Sequence, residues 1–151
     1  MDQATAQKQF KQSLRDHVAE KGDEIQVKYG PHIGWSELQL ILADRTVVRY
    51  PCEIRFTAEG LEPGELAFPA PLGETPEDGF IMRVHPTYLS RLEVVPALVF
   101  YQLVSVNYGS FAAAEDAEAF GAAALGIDRE DYYQLLCGLS DELHPQACGC
   151  H

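Results

Sequence analysis

Apolar and polar positions follow two rhythms along this chain, and the change between them divides it. Near the start Phe10, Leu14 and Val18 recur every fourth position among lysines, glutamines and acids, the spacing of a helix with one apolar stripe. This predicts a helix over about 4–21, stopped at Gly22, with His17 off the stripe and solvated. The rhythm then shortens to two. Leu38, Leu40 and Leu42 predict a half-buried strand over 36–42. After a turn at Asp44-Arg45, Val48, Tyr50, Cys52, Ile54 and Phe56 face one way. Val47, Arg49, Pro51, Glu53, Arg55 and Thr57 face the other. The two runs read as a hairpin, and Pro51, which has no N–H to donate, puts the second strand at an edge or a bulge.

Residues 58–79 are punctuated by Pro63-Gly64, Pro69, Pro71, Gly73, Pro76 and Gly79 and read as a long loop, interrupted by a short strand at Glu65–Phe68. Gly79–His85 reads as another strand, with Phe80, Met82 and Val84 inward and Ile81, Arg83 and His85 outward. The remainder has helical spacing. Pro86 opens a short helix to about Arg91, and Pro96 opens one to Tyr108 that is apolar nearly all round, the mark of a central helix. A third runs over about 112–125, capped by Ser110 and ended by Gly126, with alanines that allow close packing. A fourth runs over about 129–137, from Asp128 to Gly138. Strands followed by helices give an α+β domain over 1–139: an N-terminal helix, an antiparallel sheet of three to five strands, and three or four C-terminal helices. Residues 140–151 form a tail containing Cys and His.

Charge narrows the partners. The chain has 151 residues and a net charge of -12. Residues 92–151 hold one basic residue, Arg129, against nine acids. Such a field repels phosphate backbones and anionic lipid, so neither nucleic acid nor membrane is an expected partner. It favours a basic one. The polar start, Met1-Asp2-Gln3-Ala4-Thr5, does not read as a secretory signal, and the apolar run Val94–Val106 is short for a bilayer. A soluble cytoplasmic protein is expected, with its four cysteines mostly reduced.

Three groups carry candidate chemistry. Cys148, Cys150 and His151 put two thiols and an imidazole within four residues, with His144 just before them. Zn²⁺ and Cu⁺ take thiolate ligands and zinc takes imidazole, so Cys148, Cys150, His151 and His144 form a candidate metal site, with Cys137 as another source of a fourth ligand. The same pair, Cys148 and Cys150, would serve as a redox dithiol. Cys52 reads as a small core hydrophobe. Arg49, Arg55 and Arg83 share the outward sheet face with His85, a candidate site for a small anionic ligand with His85 as acid–base, unless Glu37 and Glu53 pair with the arginines. On the central helix Tyr101, Ser105 and Tyr108 share one side, with Gln102 and Asn107 as further polar groups that line a pocket or satisfy neighbouring loops.

Phosphate loops, nucleophile elbows and H-E-x-x-H motifs are missing, and no catalytic residue is assigned. The order helix, sheet, apolar helix, then Glu115–Leu125 (E-D-A-E-A-F-G-A-A-A-L) resembles a minimal zinc-peptidase core. In that family the second helix, with E-x-x-A-x-x-F-A, brings a third zinc ligand. Val94–Leu103 has no histidine to hold zinc in that way, so the resemblance implies an inactive relative. The expected function is a non-enzymatic binding or interaction protein with a C-terminal Zn or Cu site. The alternatives are an enzyme or binder for an anionic ligand on the arginine face, and a thiol redox protein.

Overall fold

Helix α1 (Gln3–Tyr29) is 27 residues long, about 40 Å at 1.5 Å per residue. The structure, a computed structural model, describes residues 3–143. The stripe that begins with Leu14 and Val18 continues through Gly22 and Ile25. Gly22 therefore does not stop the helix as expected. It is the closest approach to α4 (Ala114–Leu125): a Cβ at Gly22 would lie 2.6 Å from the Phe120 carbonyl oxygen and 2.7 Å from the Ala123 Cβ. Glycine here lets two helical backbones meet.

Residues 36–42 are not a strand. Trp35–Leu42 form helix α2, in which Leu38, Ile41 and Leu42 are buried while Leu40 is 60% exposed. The alternating leucines hid a stripe at positions i, i+3 and i+4. Glu37, expected on a sheet face, sits in the first turn of α2, where its carboxylate accepts the Gly34 N–H at 2.8 Å.

The sheet has three strands, β1 (Cys52–Phe56), β2 (Ala67–Pro71) and β3 (Phe80–Val84), in the order β1-β3-β2. β2 pairs antiparallel with β3, from Ala67 opposite Val84 to Pro71 opposite Phe80. β1 pairs parallel with β3, from Cys52 beside Phe80 to Phe56 beside Val84. The sheet is thus mixed, not purely antiparallel: with 36–42 helical, β1 takes its partner from beyond the long loop. The alternation read for 52–56 holds, with Cys52, Ile54 and Phe56 turned towards the core and Glu53 and Arg55 exposed.

Helix α3 (Val95–Tyr108) runs through the centre between the sheet and α4 and is buried on nearly every side. Leu92–Phe111 has the length and mean hydropathy, 1.3, of a membrane span, and 56% of it is buried within the fold, as in a core helix. Ala113, not Ser110, precedes α4, and Asp116 turns back to accept its N–H at 2.8 Å. Gly126 ends α4 in the left-handed conformation. Helix α5 (Arg129–Leu143) passes through Gly138 and beyond residue 139, because Leu139 is buried and Leu136 and Leu143 pack on the same core. Residues 140–143 therefore belong to the last helix. The Tyr132 hydroxyl donates to the Ala97 carbonyl at 2.6 Å and fastens α5 to α3.

Candidate functional site

A cavity of about 350 Å³ opens where β2 meets the three C-terminal helices. Gly64–Ala67 form one wall. Leu98, Tyr101 and Gln102 come from α3, Glu118 from α4, and Tyr133, Leu136, Cys137 and Ser140 from α5. The walls are mainly apolar with a few polar groups at the rim, the usual make-up of a ligand site. Among the described residues its charges are of one sign: Glu65 and Glu118 line it, and no lysine, arginine or histidine does. One Glu118 oxygen lies 3.3 Å from Arg129 Nη2, outside the lining. Burial pushes the Tyr101 phenol above its ordinary range, and the Glu118 carboxylate adds to that.

The cavity borders β2, the outer strand of the sheet, in which Ala67 and Pro69 are buried and Phe68 and Pro71 are exposed. The Leu72 N–H donates to the Gly79 carbonyl and the His85 N–H to the Leu66 carbonyl, each at 2.9 Å. With the antiparallel register, even-numbered residues of β2 bond to β3, and Ala67, Pro69 and Pro71 turn their backbone groups outward. Two of those three are prolines. The side turned away from β3 thus carries three carbonyls but a single N–H, that of Ala67 beside the cavity, and of the three residues only Pro71 is exposed.

The arginine face divides. Arg55 and Arg83 are register neighbours on β1 and β3. Arg83 Nη1 donates to the Glu59 carbonyl at 3.1 Å and lies over Gly60. His85 follows β3, but its Nδ1 accepts the Thr87 N–H at 3.2 Å and caps a short 3-10 turn. Arg49 is not on this face, because the chain before Cys52 is not strand. Its N–H donates to Asn107 Oδ1 at 2.9 Å and its Nη1 to the Asn107 carbonyl at 3.0 Å. Of the polar groups on α3, buried Asn107 thus satisfies a neighbouring loop, Tyr101 and Gln102 line the cavity beside β2, and Ser105 is exposed. Tyr108 stands edge-on to His17, with ring centroids 5.6 Å apart.

Cys52 is a free thiol on the inner side of β1, its pKa pushed up to about 11, mainly by burial. Cys137 is disulfide-bonded and so does not offer a thiolate to a metal. His144, Cys148, Cys150 and His151 lie outside the described residues. Among the described residues, no three His, Cys, Asp or Glu side chains converge as a metal site. The zinc-peptidase resemblance implied an inactive relative, without histidines on α3 to hold zinc. Leu98, Gln102 and Glu118, which face the cavity from α3 and α4, offer one carboxylate and one amide and do not fit zinc.

The cavity escaped the sequence reading because its walls come from four separated segments. Leu98, Tyr101 and Gln102 shared the signal of a buried helix, and Glu118 that of an ordinary acidic first half-helix. No family model matches the chain, and no curated protein or solved structure is similar to it.

Proposed function

We propose that the chain is a non-enzymatic binding protein that takes a basic, extended segment of a partner protein at the cavity between β2, α3, α4 and α5. The observation that carries this reading is an apolar cavity whose charged groups, among the described residues, are both carboxylates, set against the outer strand of the sheet. A lysine or arginine suits such a place: its stem covers Leu98, Tyr101 and Leu136 while its head meets Glu118 and Glu65. The peptide's backbone would run along β2, donate to the exposed carbonyl of Pro71, and pair with Ala67 and Pro69 once the groups that bury them move aside. Addition of a strand supplies affinity and the cavity supplies selectivity. The net charge of -12 supports the same polarity of partner.

Fluorescence anisotropy tests this reading with labelled seven-residue peptides of alternating valine, carrying a central lysine, arginine, glutamate or leucine. Lysine and arginine peptides should bind best, and more weakly as salt rises. Leu98→Trp, which fills the cavity, and Glu118→Gln should each weaken them, while Arg55→Gln on the remote sheet face should not. Equal binding of glutamate and lysine peptides, or binding indifferent to Leu98→Trp, would remove the basis of the proposal.

A further inference from the structure

A second cavity of about 390 Å³ shares no lining residue with the first and is lined by His17 and Lys21 of α1, Thr46, Val47 and Arg49 of the segment before β1, and Tyr108 at the end of α3. In a chain with 11 lysines and arginines against 23 acids, its lining among the described residues gathers three basic side chains and no carboxylate. His17 and Lys21 are one helical turn apart and share a face. Arg49 is held in place rather than left to sample rotamers. Asn107 binds its backbone N–H and its Nη1, and its guanidinium lies 5.7 Å from the Tyr50 ring centroid and 5.8 Å from that of Tyr108. Nε and Nη2 of Arg49, both His17 ring nitrogens and the Tyr108 hydroxyl have no hydrogen-bond partner among the described residues. Lys21 Nζ reaches the Thr46 carbonyl at 3.2 Å and Glu24 at 3.3 Å, which leaves a third ammonium proton to give.

We propose that this cavity binds a small oxyanion of the phosphate class, such as a phosphate monoester or pyrophosphate group. The Arg49 fork would take two oxygens, Lys21 would supply a point charge, and His17 and the Tyr108 hydroxyl would donate from the α1 and α3 sides. Glu24 is the one acid paired with a lining base. A doubly charged anion outcompetes it for Lys21 because Arg49 attracts the same ligand. The site is separate from the peptide cavity, so either proposal stands or falls alone.

The test is a titration of isotope-labelled full-length protein with inorganic pyrophosphate at fixed ionic strength, followed by the NMR signals of the His17 ring and the Arg49 side chain, with sodium chloride as the control. Saturable shifts at these two residues are expected. Arg49→Gln should weaken the fitted affinity about tenfold, as loss of one charge-assisted hydrogen bond implies. Lys21→Gln, which removes the charge and keeps a side chain able to donate to the Thr46 carbonyl, should weaken it similarly, and Arg83→Gln should leave it unchanged. Non-saturating shifts, shifts reproduced by chloride, or equal affinity in wild type and Lys21→Gln would overturn the proposal.

Discussion

Asn107 and Arg49 are joined twice: the Asn107 side-chain oxygen accepts the Arg49 N–H at 2.9 Å, and the Asn107 carbonyl accepts Arg49 Nη1 at 3.0 Å. The Asn107 amide group also donates to the Val47 carbonyl at 2.9 Å. One buried side chain thus closes the donor and the acceptor of a segment that belongs to no helix or strand. Asn107→Ala should lower unfolding free energy by about 2–3 kcal/mol, since two hydrogen bonds go and two backbone groups lose their partners. Urea denaturation measures the loss. A cost near zero would mean that water replaces the amide.

Two helix glycines should respond in opposite ways to the same substitution. Alanine is favoured over glycine in a helix by about 1 kcal/mol. At Gly138 no atom of the described residues lies within 4 Å of the new Cβ, so Gly138→Ala should stabilise by up to about 1 kcal/mol. At Gly22 the Cβ would meet α4 backbone at 2.6 Å. Gly22→Ala should therefore destabilise by about 1–3 kcal/mol despite its better propensity. Thermal melts of the two variants side by side decide it.

Those two glycines also mark what the sequence did and did not reveal. Both looked like stops because glycine often ends a helix, but whether a helix ends depends on what its next turn can bury. Ile25 and Leu139 lie beyond Gly22 and Gly138 and are both core residues. Short apolar runs were equally ambiguous: Leu38, Leu40 and Leu42 fit a period of two, and Leu38, Ile41 and Leu42 fit a helix. Sharp local signals served better. Pro96, Gly126 and the alternation over 52–56 placed α3, the end of α4 and the faces of β1. Parallel pairing of β1 with β3 left no local trace, since it joins segments across a 23-residue gap between Phe56 and Phe80. Arg49 was put on the wrong surface for the same reason: its place depends on Asn107, 58 residues away.

Asp44 should set the acid limit of stability. Its carboxylate accepts from Lys28 Nζ and the Tyr29 hydroxyl, each at 2.6 Å, and from Thr46. These hydrogen bonds, led by Lys28, hold the carboxyl far below its usual range. A group depressed on folding stabilises above its unfolded pKa, about 4 for aspartate. That contribution should fade as pH falls from about 4 towards the folded value. Lys28 and Tyr29 are both raised by the same contact, so their contribution is present at neutral pH and fades above about pH 10. Denaturation midpoints measured from pH 2 to 7 should fall more steeply at the acid end for wild type than for Asp44→Asn. Parallel curves would show that other carboxylates set the limit.

Cys52 should be slow to react. With its pKa near 11, roughly one thiol in a thousand is ionised at pH 8, and the thiolate is the nucleophile. Labelling of native protein with iodoacetamide should leave Cys52 unmodified over hours and modify it within minutes in urea, as peptide mass spectrometry would show. Rapid native labelling would mean that β1 opens readily at the sheet edge.

The outward prolines of β2 make the last expectation. Pro69, which is buried, and Pro71, which is exposed, sit where a strand would present N–H groups to an added strand, while Ala70 between them bonds to β3. Replacing both costs the existing ladder nothing, because their nitrogens never face β3. Pro69→Val/Pro71→Val therefore adds two outward donors at nearly constant side-chain volume. A free edge with donors and acceptors in step recruits other strands. The double variant should bind the basic peptides about tenfold more tightly, two further backbone hydrogen bonds being worth roughly 1 kcal/mol or less each. It should also associate with itself more than wild type does in sedimentation velocity. Ala70→Val is the control: its N–H already points to β3, so neither property should change. If the double variant gains neither affinity nor self-association, the edge is not where a partner strand docks, and the cavity must hold its ligand without backbone pairing.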